Sequence, residues 1–180
     1  IGALSAAQTQ KWQQKYVSDG NGNYTFAADV TLRAKADSSS LHLDNLVGNI
    51  LFNDEGPNGS IDMKQNRLTL DALADSETKR AMGIGVIGSR LEIKNAGNVD
   101  INLHGDKATG SALYAASANG KAAEIVIEND GAKEHVVKIR NTANGAKDAA
   151  IVAKKDGAEA RIEIKGAVDI EQEGADLLHA

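Results

Sequence analysis

The sequence predicts an all-β fold, a right-handed parallel β-helix of about five three-strand coils with an N-terminal cap. Three observations predict it. A unit of three short segments, each alternating apolar and polar residues, recurs along the chain. Gly, Asn and Asp fill the gaps between segments. The apolar residues are Ala, Val, Ile and Leu, while aromatics make up only 3%. Such side chains suit a narrow interior of thin repeated layers better than one large core.

The repeat is clearest in the second half. Arg90-Leu91-Glu92-Ile93-Lys94 matches Arg161-Ile162-Glu163-Ile164-Lys165. Each is followed by a second match, Val99-Asp100-Ile101 and Val168-Asp169-Ile170. A third follows, Ala112-Leu113-Tyr114-Ala115 and Leu177-Leu178-His179-Ala180. Between them Glu124-Ile125-Val126-Ile127-Glu128, Val137-Lys138-Ile139 and Ala150-Ile151-Val152-Ala153 form another copy. Leu91 and Ile125 lie 34 residues apart, and Ile125 and Ile162 lie 37 apart. Weaker copies precede these: Ile61-Asp62-Met63, Leu68-Thr69-Leu70 and Met82-Gly83-Ile84, and before them Val30-Thr31-Leu32, Leu41-His42-Leu43 and Ile50-Leu51-Phe52.

Alternation over three to five residues is the strand period, which sends alternate side chains to one face. No strand that short is stable alone. Stacking the coils buries a continuous apolar column. Ile93, Ile127 and Ile164 are expected in one such column, about 4.8 Å apart. Turn chemistry separates the segments at Asn95-Ala96-Gly97-Asn98, Asn129-Asp130-Gly131, Asn144-Gly145 and Lys155-Asp156-Gly157, residues that tolerate left-handed backbone.

Aligning the copies puts charges in columns. Arg90, Glu124 and Arg161 form one; Lys94, Glu128 and Lys165 a second; Asp100, Lys138 and Asp169 a third. Each alternates in sign, as neighbours on adjacent strands favour. On this pattern, charge reversal at Glu128 is expected to cost more than reversal at Asp130, which lies in a turn.

Residues 1–28 do not repeat and read as a partly helical cap; residues 29–180 read as the β-helix, cut short at its C-terminal end. Ser5-Ala6-Ala7-Gln8 has capping-box spacing, and Trp12 and Tyr16 share a helical face. Trp12, Tyr16, Tyr24 and Phe26 all fall here, with Phe52 and Tyr114 downstream. An open solenoid end exposes strand edges, so a cap is expected. The chain begins at Ile1 with no basic-then-apolar leader, so either a signal has been removed or the piece was excised from a longer protein.

Composition limits function. A net charge of −5 disfavours nucleic acid as a partner, because phosphate binding needs a basic face. The absence of cysteine excludes disulfides and thiolate metal sites. No run of 18 apolar residues is present, so no transmembrane segment is expected.

Local motifs point to turns. Gly83-Ile84-Gly85-Val86-Ile87-Gly88 spells a dinucleotide fingerprint, but the alternating Ser89–Lys94 segment follows where a helix is required. Asp19-Gly20-Asn21-Gly22-Asn23 starts like a calcium loop yet has Tyr24 and Val30 where Gly and Glu belong. Asp54-Glu55 sits in a run of turn formers through Gly59. His42, His104, His135 and His179 are scattered, without metal-ligand spacing. No catalytic, cofactor-binding or metal-ligating residue is therefore assigned, and no cofactor is expected.

Gly-Ala-rich turns, apolar-x-apolar strands and Ala-Leu-x-Ala third segments, without cysteine and with few aromatics, resemble the passenger regions of Gram-negative autotransporters. The resemblance covers residues 29–180 and is strongest over 90–180. It implies a non-enzymatic fragment, secreted or displayed at the cell surface, acting in adhesion or self-association. The implied partner is a host-surface protein or glycan, or another copy of the chain. The alternative is a β-helical polysaccharide lyase or glycoside hydrolase, which needs converging carboxylates. Asp100 and Asp169 are instead expected to be separated by Lys138.

Overall fold

A computed structural model describes residues 16–35, 42–43, 46–74, 80–105, 110–142, 149–173 and 178–179. Among these every regular element is a strand. The first coil comprises β1 (Tyr16–Ser18), β2 (Asn23–Phe26), β3 (Val30–Lys35), β4 (His42–Leu43) and β5 (Leu46–Asn53). Four further coils follow. They are β6 (Gly59–Asp62), β7 (Leu68–Leu73) and β8 (Arg80–Ile87); β9 (Arg90–Ala96), β10 (Val99–His104) and β11 (Gly110–Ala116); β12 (Ala123–Asn129), β13 (Val136–Asn141) and β14 (Ile151–Lys154); and β15 (Ala160–Lys165), β16 (Ala167–Gln172) and β17 (Leu178–His179).

The strands stack into three sheets. Sheet 1 runs β1-β2-β6-β9-β12-β15, sheet 2 runs β3-β7-β10-β13-β16, and sheet 3 runs β4-β5-β8-β11-β14-β17. Neighbours from successive coils are parallel throughout; β1 and β4 are antiparallel to β2 and β5. This is the parallel β-helix the repeat predicts. Short antiparallel strands at the first-coil end of sheets 1 and 3 blunt edges that would otherwise be free to pair.

The expected column exists. Ile93 stands opposite Ile127, which stands opposite Ile164. Ile61 and Tyr24 extend it toward the N-terminus. Sheet 2 contributes the column Leu32, Leu70, Ile101, Ile139 and Ile170, and sheet 3 the column Ile50, Ile84, Leu113, Ile151 and Leu178. The middle members are fully buried. Each such side chain contributes roughly 1.5–3 kcal/mol of transfer free energy.

The phase of the first coil differs from the sequence alignment. Val30-Thr31-Leu32 pairs with Leu68-Thr69-Leu70, so it is a second strand, not a first. The first strand is Asn23–Phe26, which lies inside the segment 1–28 that the sequence predicts as a cap. Tyr24 and Phe26 occupy interior positions where later coils carry Ile and Met, and both are buried. Aromatics here fill the end of the stack, together with the fully buried Phe52. Stacked strands thus begin at Asn23 rather than after residue 28. The helical reading of Ser5–Gln8 and Trp12 lies outside the described residues.

Sheet 3 explains the glycine run. Gly83 lies within β8, and a Cβ there would come within 2.5 Å of Ile101 Cγ2 and 2.7 Å of the Ala112 carbonyl oxygen. The backbone approaches its neighbours too closely for a side chain. Gly83→Val is expected to destabilise the chain by about 3 kcal/mol, because the carbonyl cannot move aside; chemical denaturation measures it. Asn49, fully buried, donates its Nδ2 protons to the Leu32 and Asp71 carbonyls at 3.0 and 3.1 Å and ties sheet 3 to sheet 2 across the interior.

Candidate functional surface

Among the described residues no charged residue is buried, so the charged groups lie on the outward faces and corners. On sheet 1, alternation turns Arg90, Glu124 and Arg161 outward in one column. Glu124 accepts from Arg90 Nε at 2.6 Å and from Arg161 Nη1 at 3.3 Å, so one carboxylate bridges three coils. Arg90 also reaches Glu92, and Arg161 reaches Glu163. Between Glu92 and Glu163 sits Val126, outward-facing yet only 2% exposed. Long charged side chains flank it, and their aliphatic stems can cover an apolar neighbour.

The hydrogen bond from Arg90 holds the Glu124 carboxyl below its usual range, against a smaller opposing effect of burial. The unfolded carboxyl titrates near pH 4.3. A lowered folded value adds stability that is complete above that pH and is lost as acid titrates the folded group. Glu124→Gln is therefore expected to flatten the acid limb of a stability–pH profile below about pH 5, with the remaining loss carried by other carboxylates.

The second charge column is only partly formed. Lys165 lies 3.9 Å from Glu128, but the register of β9 against β12 shifts beyond Ile127. Two residues of β9, Lys94 and the left-handed Asn95 at φ 52°, stand against the single Glu128 there. In the third column Asp100, Lys138 and Asp169 are in register as expected. Their ion pairs, however, run diagonally: Asp100 to Arg67 at 3.5 Å and Asp169 to Arg140 at 3.5 Å.

A second group of titratable side chains, the one that includes a histidine, lies on the outward face of sheet 2, near its first strands. Asp71 contacts His104 Nε2 at 2.6 Å and Arg33 Nε at 4.0 Å. Arg67 and Asp100 lie on the same face. Asp71 stands opposite Asn102, two residues from His104, so the pair is diagonal across one rung. From the sequence His104 reads as one of four scattered histidines. A carboxylate one coil back and two positions short was the signal that could have found it.

The other residues weighed from the sequence do not converge. Asp54 is in the turn after β5; its Oδ2 accepts from Asn119 at 2.8 Å, and its carbonyl accepts from Lys121 at 2.8 Å. These contacts skip a coil, because the intervening corner at Gly88-Ser89 is only two residues long. Glu55 is exposed beside it. Asp19 spends its carboxylate on its own loop, accepting from Asn23 Nδ2 and from the Asn21 and Asn23 backbone N–H groups. These bonds, the Asn23 side chain first, lower its pKa. His135 pairs with Asp130 within one corner at 2.7 Å. The side chains of His42 and His179 lie outside the described residues.

Among the described residues no three His, Asp or Glu side chains gather as a metal site, and no helix is long and apolar enough to cross a membrane. No protein-family model, no curated protein and no solved structure matches the chain.

Proposed function

We propose that the chain is a non-enzymatic β-helical scaffold of the autotransporter-passenger kind, displayed at the surface of a Gram-negative cell or secreted, acting in adhesion or self-association. The observation that carries this reading is the pairing of outward charges across coils, with Glu124 held between Arg90 and Arg161 as its clearest case. Charges neutralised by their neighbours make a stable outer face and leave corner loops to vary. Such a face suits contact over an extended area with a host protein, a glycan or another copy. The competing enzyme reading would have to use the outward face of sheet 2, where Asp71 meets His104 and Asp100 meets Arg67.

The test combines two measurements on the purified chain. The first is retention on immobilised host-cell glycans and extracellular proteins. The second is a screen for turnover of acidic and neutral polysaccharides, with and without calcium. Retention without turnover is expected. Turnover abolished by Asp71→Asn or Asp100→Asn replaces the scaffold with a lyase or hydrolase.

A further inference from the structure

The chain contains four Asn-Gly pairs, Asn21-Gly22, Asn58-Gly59, Asn119-Gly120 and Asn144-Gly145, the last outside the described residues. Such a pair can cyclise, because the glycine nitrogen attacks the asparagine Cγ and no side chain on the glycine stands in the way. The backbone must swing to bring the two atoms together, so packing around the glycine decides whether the reaction runs. Gly22 and Gly59 are buried. A Cβ on Gly22 would lie 2.4 Å from the Asn58 carbonyl oxygen, and one on Gly59 would lie 2.5 Å from the Phe52 ring. Asn58 is held as well, its Oδ1 accepting from the Arg90 N–H at 3.0 Å and from Ser89 Oγ at 3.3 Å. Asn119 and Gly120 are both exposed, and nothing lies within 4 Å of a Cβ placed on Gly120.

We propose that Asn119 is a site of spontaneous deamidation, and that the reaction releases its corner irreversibly. Ala118–Lys121 is a two-residue hairpin turn. The Ala118 N–H donates to the Lys121 carbonyl at 3.1 Å and the Lys121 N–H to the Ala118 carbonyl at 2.9 Å, with Asn119 and Gly120 at φ 52° and 72°. The turn is docked on the corner two coils back. Asn119 Nδ2 donates to Asp54 Oδ2, and Lys121 Nζ to the Asp54 carbonyl, both at 2.8 Å. While the bond to the carboxylate lasts, the Asn119 amide is not free to turn toward its own backbone, so the reaction runs from the released turn. The Gly120 nitrogen then bonds to Asn119 Cγ, the Cγ–Nδ2 bond breaks, and ammonia leaves carrying the proton of the Gly120 N–H. Water opens the resulting succinimide at either carbonyl and gives aspartate or isoaspartate. The donor to Asp54 has become a second carboxylate, and like charges oppose redocking. Isoaspartate also adds a methylene to the backbone of a turn built for two residues. The modification is independent of what the scaffold binds.

Peptide mapping by mass spectrometry of the folded 180-residue chain, incubated at mildly alkaline pH, tests the proposal. Asn119 should be converted ahead of Asn21 and Asn58, and Asn58 should react only once urea has unfolded the chain. Asp54→Ala, which frees the amide, should speed conversion at Asn119 by roughly threefold to tenfold and leave the rate at Asn21 unchanged. Thermal melting confirms that this variant folds. Asn119→Asp, which carries one of the two products, should raise hydrogen exchange across Ala118–Lys121. Conversion of Asn21 or Asn58 ahead of Asn119 in the folded chain overturns the proposal. So does a rate at Asn119 that Asp54→Ala does not raise, or exchange that Asn119→Asp leaves unchanged.

Discussion

Ile127→Ala lowers stability by about 2–5 kcal/mol, whereas Ile164→Ala, the same chemical change one coil later, costs less than half as much. Ile127 is fully buried between Ile93 and Ile164, while Ile164 is only partly buried at the end of the stack. Removing three carbons from the middle of a column leaves a cavity that its neighbours cannot close, because each is fixed by its own strand. At the end, solvent reaches the gap. Urea denaturation of the two variants measures the difference. Equal losses would mean that the column is not stacked as described.

The second expected result reverses the sequence-based ranking. Asp130→Lys destabilises the chain by about 2 kcal/mol, and Glu128→Lys by less than 1 kcal/mol. Asp130 lies in a corner, but its side chain is only 8% exposed, accepting from His135 Nδ1 at 2.7 Å and from the Ala132 N–H at 3.1 Å. These bonds, His135 first, hold its carboxyl below the usual range. Reversal removes two bonds to a charged acceptor and sets a cation beside His135. Glu128 is 48% exposed and has one ion pair, to Lys165 at 3.9 Å. Exposed pairs of that length contribute little. Paired thermal melts at neutral pH decide the order, and a larger shift for Glu128→Lys restores the column argument.

What could be read from the sequence follows from what repeats. Ile93, Ile127 and Ile164 recur with alternating neighbours, and a two-residue period together with a coil-length spacing fixes both face and register. The Arg90–Glu124–Arg161 bridge was legible for the same reason. What did not repeat was missed. Tyr24 and Phe26 do the work of Ile and Met in the first coil, but aromatics beside a glycine-rich loop looked like a cap. The left-handed Asn95 adds one residue to β9 and shifts the register beyond it, although the apolar pattern before it is unchanged. The Asp71–His104 pair is diagonal, and an alignment that compares only equivalent positions does not register it. Asp130 gains its partners from the path of its own corner, which no periodicity encodes.

In-register parallel stacking is tested most directly by oxidation of paired cysteines, since the chain contains none of its own. Asp100 and Lys138 are outward-facing partners on adjacent strands. Their Cα atoms should lie near the 4.8 Å strand spacing, within reach of a disulfide. The control pair, Asp100 and Arg140, is displaced by two residues and lies about 8 Å apart, beyond that reach. Oxidation followed by mass spectrometry of the unfolded protein should show an intramolecular bond in Asp100→Cys/Lys138→Cys and free thiols in Asp100→Cys/Arg140→Cys. A bond in the displaced pair with none in the aligned pair would contradict the stacking on which every other inference here depends.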